Sequence, residues 1–128
     1  MPTYTYDHIH LRSKDPMGMA KYFEKMFDAT IIETIQSDGQ PRIDLDINGL
    51  AVFIAMVAQD VDMPASPHDP HTGLDHFGFR VDNVDEAVAE LKSRGAEIAV
   101  EPYTIRPKVR IAFVRAPDHV RIELLQRD

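Results

Sequence analysis

The sequence repeats itself across nearly its whole length, and this repeat restricts the possible folds more than any other feature. Residues 7–12 (DHIHLR) align with residues 75–80 (DHFGFR) at an offset of 68. Such repetition predicts two copies of one small module, each too small to close a hydrophobic core alone. The other aligned segments are 28–31 with 95–98, at an offset of 67, and 49–56 with 118–125, at an offset of 69.

Each copy carries the pattern of one helix among four strands. Residues 16–27 are predicted to form a helix that begins after Asp15, with Pro16 at its first position. A second helix is predicted to begin after Asn83, which forms a capping box with Glu86, and to end at Gly95. The predicted strands are residues 4–11, 30–35, 43–47, 50–57, 74–81, 97–100, 108–115 and 120–126.

This element order predicts an α+β fold built from two βαβββ modules that are related by a pseudo-twofold axis and form a cavity. We expect a single domain over residues 1–128, because the length fits one domain. Module one is predicted to span residues 1–57 and module two residues 74–128. Residues 58–73, which are rich in Pro, Asp and His, are predicted to form the linker between them.

Composition and charge exclude several classes of protein. The chain has no cysteine, which excludes a disulfide framework, a thiol nucleophile and a cysteine-ligated metal site. Its net charge of −7 argues against a nucleic-acid partner, because phosphate contacts need an excess of Lys and Arg. No apolar run approaches the ~20 residues of a membrane span, and residues 1–13 lack the pattern of a secretion signal. We therefore expect a soluble, cytoplasmic protein that binds a small molecule.

Alternation along the strands predicts that polar side chains of both copies share the face that carries no helix. His8 and His10 lie on this face in the first copy, and His76 and Glu123 lie on it in the second. Two interpretations remain open: a solvated outer face, or the walls of a shared cavity. The recurrence of histidine and carboxylate at equivalent positions favours the cavity.

The residues His8, His76 and Glu123 are the candidates for a metal site. Two neutral imidazoles and one carboxylate bind a divalent ion while leaving coordination positions open for a substrate. An ion held in this way polarises a substrate oxygen. The set therefore predicts one divalent metal ion, with Fe, Mn, Co, Ni and Zn all compatible.

Three segments resemble the signature stretches of the vicinal oxygen chelate superfamily. They are residues 7–15 (DHIHLRSKD), 73–79 (GLDHFGF) and 117–124 (PDHVRIEL). The superfamily includes glyoxalase I, methylmalonyl-CoA epimerase, fosfomycin-resistance enzymes, extradiol dioxygenases and bleomycin-resistance proteins. The resemblance implies the glyoxalase/bleomycin resistance/dioxygenase fold and assigns His8, His76 and Glu123 as metal ligands. It also implies a homodimer, with the site either within one chain or across two.

The chain departs from this family at two positions. Glyoxalase I and the epimerases carry a fourth ligand, Glu or Gln, in the last strand of the first module. The repeat alignment of residues 52–54 with 121–123 predicts that Ile54 takes this position and faces the cavity. Phe113 stands where an extradiol dioxygenase is expected to carry a tyrosine. These departures favour a site with three protein ligands and weigh against glyoxalase I and the dioxygenases.

The remaining candidates are catalytic or substrate-binding residues. His10 is predicted to be a general base or a wall of the cavity, since its unperturbed pKa lies near neutrality. Asp44 and Asp46 are candidate catalytic carboxylates. Arginine suits planar anions, and the candidates for binding a substrate anion are Arg80, Arg110 and Arg121.

Together these features predict a metal-dependent lyase or isomerase, such as an epimerase, for a small anionic substrate with vicinal oxygens. Two alternatives stay open. One is an extradiol-type ring-cleaving dioxygenase, and the other is a non-enzymatic ligand-sequestering protein of the bleomycin-resistance type.

Overall fold

The computed structural model describes residues 1–68 and 70–128, and Asp69 of the predicted linker lies outside them. The chain divides into two compact units, Met1–Met63 (unit 1) and Pro64–Asp128 (unit 2), and the boundary lies inside the predicted linker. In the described ranges no helix is both long and apolar enough to cross a membrane.

The two units have the same order of elements and the same topology. Unit 1 forms one sheet in the order β1-β4-β3-β2, and the described part of unit 2 forms a second sheet in the order β5-β8-β7-β6. β1 pairs with β4, and β5 with β8, in parallel, and the other pairs are antiparallel. The predicted βαβββ repeat is therefore confirmed. Unit 1 contains β1 (His8–Ser13), α1 (Pro16–Phe27), β2 (Thr30–Ile35), β3 (Pro41–Ile47) and β4 (Leu50–Met56), and unit 2 contains β5 (Phe77–Arg80), α2 (Val84–Ser93), β6 (Glu97–Arg106), β7 (Val109–Arg115) and β8 (Arg121–Arg127).

Both helices begin where the sequence predicts. The Asp15 side chain accepts a hydrogen bond from the Gly18 amide at 3.0 Å and caps α1. Asn83 accepts one from the Glu86 amide at 3.0 Å and caps α2. Gly95 follows α2 with φ of 94°, a left-handed conformation that glycine adopts without steric strain.

Each helix packs against one face of its own sheet, and the two cores lie there. α1 buries Met19, Ala20 and Phe23 and contacts β3 and β4. α2 buries Val84, Val88 and Leu91 and contacts β6, β7 and β8. Candidate site residues on the strands, including His10, Asp44 and Glu123, therefore lie on the opposite face. The described sheet residues buried on the helix-facing sides are Ile43, Leu45, Ile47, Val52, Ile54, Ala112, Val114, Ile122 and Leu124.

The bounds of every strand except β2 differ from the prediction, and the largest differences, at β1, β5 and β6, arise because partner strands set their ends. β1 begins at His8, opposite Ala51, because β4 begins only at Leu50. β5 likewise begins at Phe77. β6 continues to Arg106 because it pairs with the antiparallel strand β7 as far as Val109, with register shifts along the way.

The strand register shows that one predicted position is wrong. Phe53 pairs with His10 across β1 and β4, as Glu123 pairs with Gly78 across β5 and β8. Phe53, not Ile54, is therefore the equivalent of Glu123. Ile54 is 4% exposed, on the helix-facing side of the sheet.

The physical reason is the length of one connection between strands. Asp44 pairs with Phe53 in unit 1, and Phe113 pairs with Glu123 in unit 2. The chain from Phe113 to Glu123 is one residue longer than the chain from Asp44 to Phe53. A slip of one residue turns every side chain of a strand to the other face, so the offset of 69 used for residues 49–56 assigned Ile54 to the wrong face.

Candidate functional site

His76 and Glu123 form the central contact of unit 2. Nδ1 of His76 lies 2.7 Å from Oδ2 of Asp75, and Nε2 lies 3.2 Å from Oε2 of Glu123. An ionised carboxylate can only accept hydrogen bonds, so Nδ1–H donates to Asp75 and a neutral ring presents its Nε2 lone pair to Glu123. Two electron-rich atoms at this distance attract each other only through a cation between them, either a proton or a metal ion.

The donor atoms of this contact fit a divalent metal ion. Imidazole nitrogen and carboxylate oxygen are common ligands of Fe, Mn, Co, Ni and Zn. Two donors bound to one ion at about 2.1 Å each lie roughly 3.0–3.4 Å apart, and the His76 and Glu123 atoms are 3.2 Å apart. Among residues 1–68 and 70–128, no group of three or more His, Cys, Asp or Glu side chains forms a complete site.

The strands of unit 2 partly shield this pair from solvent. Glu123 lies on β8 opposite Gly78, where an added Cβ would be 3.5 Å from the Cβ of Glu123. The side chains of Glu123 and His76 are 15% and 31% exposed. The ring of Phe113 lies edge-on to His76 at 4.9 Å and is itself buried. Phe113 carries no hydroxyl group, so it offers only apolar contact here.

Arg121 is hydrogen-bonded to Asp75, the carboxylate that contacts His76. Its Nη1 donates to Oδ2 of Asp75 at 2.8 Å, and its guanidinium lies 3.8 Å above the ring of Phe113. The hydrogen bond from His76, followed by the charge of Arg121, lowers the pKa of Asp75, while partial desolvation opposes them. Asp75 therefore stays ionised and fixes the orientation of the imidazole.

His8 in unit 1 has the same local arrangement. Its Nδ1 lies 2.7 Å from Oδ2 of Asp7, so its Nε2 is the nitrogen left for another partner. The ring stacks on Phe53 with centroids 4.2 Å apart. The three predicted ligands are thus divided between the units, with His8 in unit 1 and the His76–Glu123 pair in unit 2.

Unit 1 contains a cavity of about 710 Å³ whose lining includes His10, Arg42, Asp44 and Phe53. Nε of Arg42 donates to both oxygens of Asp44, at 3.1 and 2.9 Å. The guanidinium carbon of Arg42 lies 4.5 Å from the centre of the Phe53 ring. The ring of His10 meets Phe53 edge-on at 6.4 Å.

The predicted catalytic residues have different environments. His10 and Asp44 both line the cavity of unit 1. Asp46 is exposed, and its Oδ1 accepts a hydrogen bond from the Gly49 amide at 3.0 Å. Asp46 therefore stabilises the turn between β3 and β4, and we do not include it in the candidate site.

The predicted substrate-binding arginines are also dispersed. Arg121 donates a hydrogen bond to Asp75, which in turn contacts His76. Arg80 is exposed, and its Nη2 donates to the carbonyl of Arg127 at 3.5 Å. Arg110 lies on the helix-facing side of β7, where Nε and Nη2 donate to Asp85 of α2 at 2.7 and 2.9 Å. Arg110 is thus committed to a helix contact and is not part of the candidate site.

Sequence reasoning missed Arg42 and the two aspartates that hold the histidines. The signal for the aspartates was present, because Asp7 precedes His8 as Asp75 precedes His76 in the repeat. The signal for Arg42 was weaker. Arg42 alternates with Asp44 on the polar face of β3, but only the fold brings it over Phe53.

The fold and the paired histidines lead to one family. The Glyoxalase/Bleomycin resistance protein/Dioxygenase superfamily matches residues 5–124. The chain belongs to this superfamily. An uncharacterized protein of Bacillus subtilis, YwkD, is 31% identical over 126 residues, which cover 94% of each chain.

Other relatives match part of their own length. A probable chloroplastic lactoylglutathione lyase of Arabidopsis thaliana is 38% identical over 61 residues, 47% of this chain and 17% of that protein. A solved glyoxalase I variant from Zea mays has a TM-score of 0.73 and 26% identity, over 94% of this chain and 44% of the maize chain. This chain thus spans less than half the length of these two proteins.

The fold also matches a fosfomycin resistance protein, FosX, from Listeria monocytogenes. The TM-score is 0.73 at 20% identity, over 99% of this chain and 93% of that chain. That FosX variant was solved in complex with Mn(II) and 1S,2S-dihydroxypropylphosphonic acid.

Proposed function

We propose that this protein is a metal-dependent lyase or isomerase that acts on a small anionic substrate with vicinal oxygens. The proposed metal ligands are His8, His76 and Glu123. The observation that carries the proposal is the 3.2 Å contact of His76 with Glu123, in which Asp75 holds the far nitrogen of the ring. The lactoylglutathione lyase relative and the Mn(II) complex of FosX support the same class of chemistry.

Each proposed residue has a defined physical role. A divalent ion would polarise the substrate oxygens and stabilise negative charge that develops on them. Asp7 and Asp75 orient the two imidazoles, as carboxylates beside metal-binding histidines commonly do. Phe113 excludes water from one side of His76. His10, which lines the cavity of unit 1, is our candidate for moving the proton.

We propose three protein ligands and no fourth. Phe53 is the equivalent of Glu123, and its phenyl ring has no donor atom. This argues against a reaction of the glyoxalase I type, which relies on a fourth carboxylate or amide ligand. It leaves coordination positions for two vicinal oxygens of a substrate.

Elemental analysis of the full chain, purified without a tag, tests the proposal. We expect close to one equivalent of divalent metal, or its uptake when Fe, Mn, Co, Ni or Zn is added. His76→Ala should weaken metal binding by more than the ~10–100-fold typical of losing an outer-shell partner. Less than about a tenth of an equivalent, with no uptake, would overturn the proposal.

His68→Ala is the matched control for that experiment. His68 and His119 are exposed imidazoles with ring centroids 3.9 Å apart, so they are the obvious place for adventitious metal binding. Removing His68 should leave the tight site intact. If tight metal binding is lost in His68→Ala but kept in His76→Ala, the metal is bound by His68 and His119, and the proposal is refuted.

We further propose a homodimer, whose sites lie either within one chain or across two. Mixing His8→Ala with His76→Ala subunits distinguishes these arrangements. If the site is shared across chains, one intact site forms in each mixed dimer, and about a quarter of the metal sites return. If it lies within one chain, no site returns.

Ligand sequestration is the second candidate function, favoured by the cavity of unit 1. It predicts tight binding without turnover, and binding that His76→Ala does not change. A ring-cleaving dioxygenase is disfavoured because Phe113 has no hydroxyl group. Oxygen uptake by the Fe(II)-loaded protein with a panel of catechols would reverse that judgement.

A further inference from the structure

The guanidinium of Arg42 presents a free edge in the cavity of unit 1. Its Nε is anchored on Asp44, and its flat face rests 4.5 Å from the centre of the Phe53 ring. Within residues 1–68 and 70–128, Nη1 and Nη2 of Arg42 have no hydrogen-bond partner. Two contacts therefore hold the plane of the group while leaving its two outer nitrogens available.

Two of the three arginines predicted to bind a substrate anion, Arg110 and Arg121, are less available, and Arg80 does not line the cavity. Arg121 uses Nη1 on Asp75, and Arg110 uses Nε and Nη2 on Asp85 and Nη1 on Thr104. A guanidinium binds a carboxylate through two parallel N–H donors. The outer edge of Arg42 has this pair free and preorganised.

Three other charged groups of the cavity make local contacts. Asp15 caps α1, Asp38 accepts the Gln40 amide at 2.9 Å, and Nζ of Lys14 donates to the carbonyl of Gln59 at 3.4 Å. Glu33 is a lining carboxylate without such a contact among the described residues. The apolar lining residues include Pro16, Met17, Pro41, Ala55 and Met56. Ile43 and Ile54 also border the cavity, but they are only 6% and 4% exposed.

We infer that the cavity of unit 1 binds an organic carboxylate, with the carboxylate on the outer edge of Arg42 and the apolar body against the cavity wall. The volume of about 710 Å³ lies within the ~300–1,000 Å³ usual for small-molecule sites. As a carboxylate site it stands on unit 1 alone. As the site for the substrate's anionic group it rests on the proposed function.

Benzoate is the probe, and benzamide is its neutral control of the same shape. Each is titrated into the full chain at pH 7 in EDTA, with binding followed by NMR chemical shifts. Benzoate should bind at least ~10-fold more tightly than benzamide, because charge-assisted hydrogen bonds are lost in the amide. Shifts should concentrate at Arg42, Asp44 and Phe53.

Two substitutions separate the shape of the group from its charge. Arg42→Gln should weaken benzoate binding ~10-fold or more, and Arg42→Lys should weaken it several-fold, since Lys keeps the charge but loses the two-pronged geometry. Arg106→Gln, which changes an exposed arginine of β6 in unit 2, should leave it unchanged. Phenylphosphonate should bind no more tightly than benzoate.

Three outcomes would overturn the inference: equal affinity for benzoate and benzamide, benzoate binding that survives Arg42→Gln, or clear preference for phenylphosphonate. Because EDTA is present, benzoate binding does not depend on a metal ion. If benzoate binds but no metal does, the carboxylate site stands and the proposed reaction fails. If metal binds but benzoate does not, the reverse holds.

Discussion

The two units place the same pair of side chains on neighbouring strands, but with the strands exchanged. In unit 1 an acid on β3, Asp44, pairs with Phe53 on β4. In unit 2 the phenyl ring is on β7, at Phe113, and the acid is on β8, at Glu123. The exchange changes what each acid can reach. Asp44 meets Arg42, whereas Glu123 meets His76.

Each phenyl ring also supports an arginine, but the two guanidinium groups serve different partners. Arg121 lies on Phe113 and is tied to Asp75, so it stabilises the orientation of His76. Arg42 lies on Phe53 and keeps its outer edge free. The same combination of acid, ring and arginine is thus the basis of two different proposals, a metal ligand pair in unit 2 and a carboxylate-binding cavity in unit 1.

The largest expected effect tests the register that underlies this comparison. Ile54→Glu puts a carboxylate at a position that is 4% exposed, on the helix-facing side of the sheet. It should lower the free energy of unfolding by about 4 kcal/mol or more, or prevent folding. Phe53→Glu lies on the polar face and should remain folded. Urea denaturation followed by circular dichroism compares them, and the opposite ranking would restore the alignment of Ile54 with Glu123.

The second prediction compares the two phenyl rings. Phe113 is 6% exposed, whereas Phe53 is only half-buried. Phe113→Ala should therefore cost about 3–4 kcal/mol of unfolding free energy, and Phe53→Ala about half as much. Phe113→Leu is the conservative control and should recover most of the loss. Equal losses of unfolding free energy at both positions, measured in urea, would mean that the two phenyl rings are equally well packed.

The third prediction compares the aspartates that hold the histidines. Asp75 has a 35% exposed side chain and a second partner in Arg121, whereas the Asp7 side chain is 84% exposed. Asp75→Asn should weaken metal binding ~10-fold or more, and Asp7→Asn only a few-fold. Isothermal titration with Mn(II) or Zn(II) measures both. A larger loss for Asp7→Asn would contradict the bracing role of Arg121.

The smallest effect separates the two helices. The hydrogen bond from Arg110 holds the pKa of Asp85 below its usual value of 3.8, against the opposing effect of desolvation. The first turn of α1 has no acidic residue, so this contact has no counterpart in unit 1. The pair therefore stabilises the fold above pH 3.8, and that contribution is lost as the pH falls through the lowered pKa.

Asp85→Asn should make the urea midpoint less sensitive to acid between pH 5 and the lowered pKa of Asp85, by a small amount since the pair is exposed. Glu86→Gln, a neighbouring acidic residue on α2, is the control. If Asp85→Asn is as sensitive to acid as the unmodified protein, the ion pair of Asp85 with Arg110 does not contribute to the pH dependence of stability.

Much of the fold could be predicted because its signals are local. The bounds of α1 follow from Asp15, Pro16 and the spacing of apolar residues, and the structure agrees residue for residue. The polar faces of β1 and β8 follow from strict alternation. The face of the sheet on which Ile54 lies could not be predicted in this way. One extra residue in the β7–β8 connection shifts the alignment of β4 with β8 by one position.

The sequence alone determined that two βαβββ units form and that Asp-His pairs recur in both. Helix caps, turn residues and periodicity act over a few residues, so they can be found by inspection of the chain. The tertiary structure decided which acid meets His76, that Arg110 serves a helix rather than a site, and that Arg42 lies over Phe53. These contacts depend on strand register and on neighbours distant in sequence, and a change of one residue in a connecting turn is enough to alter them.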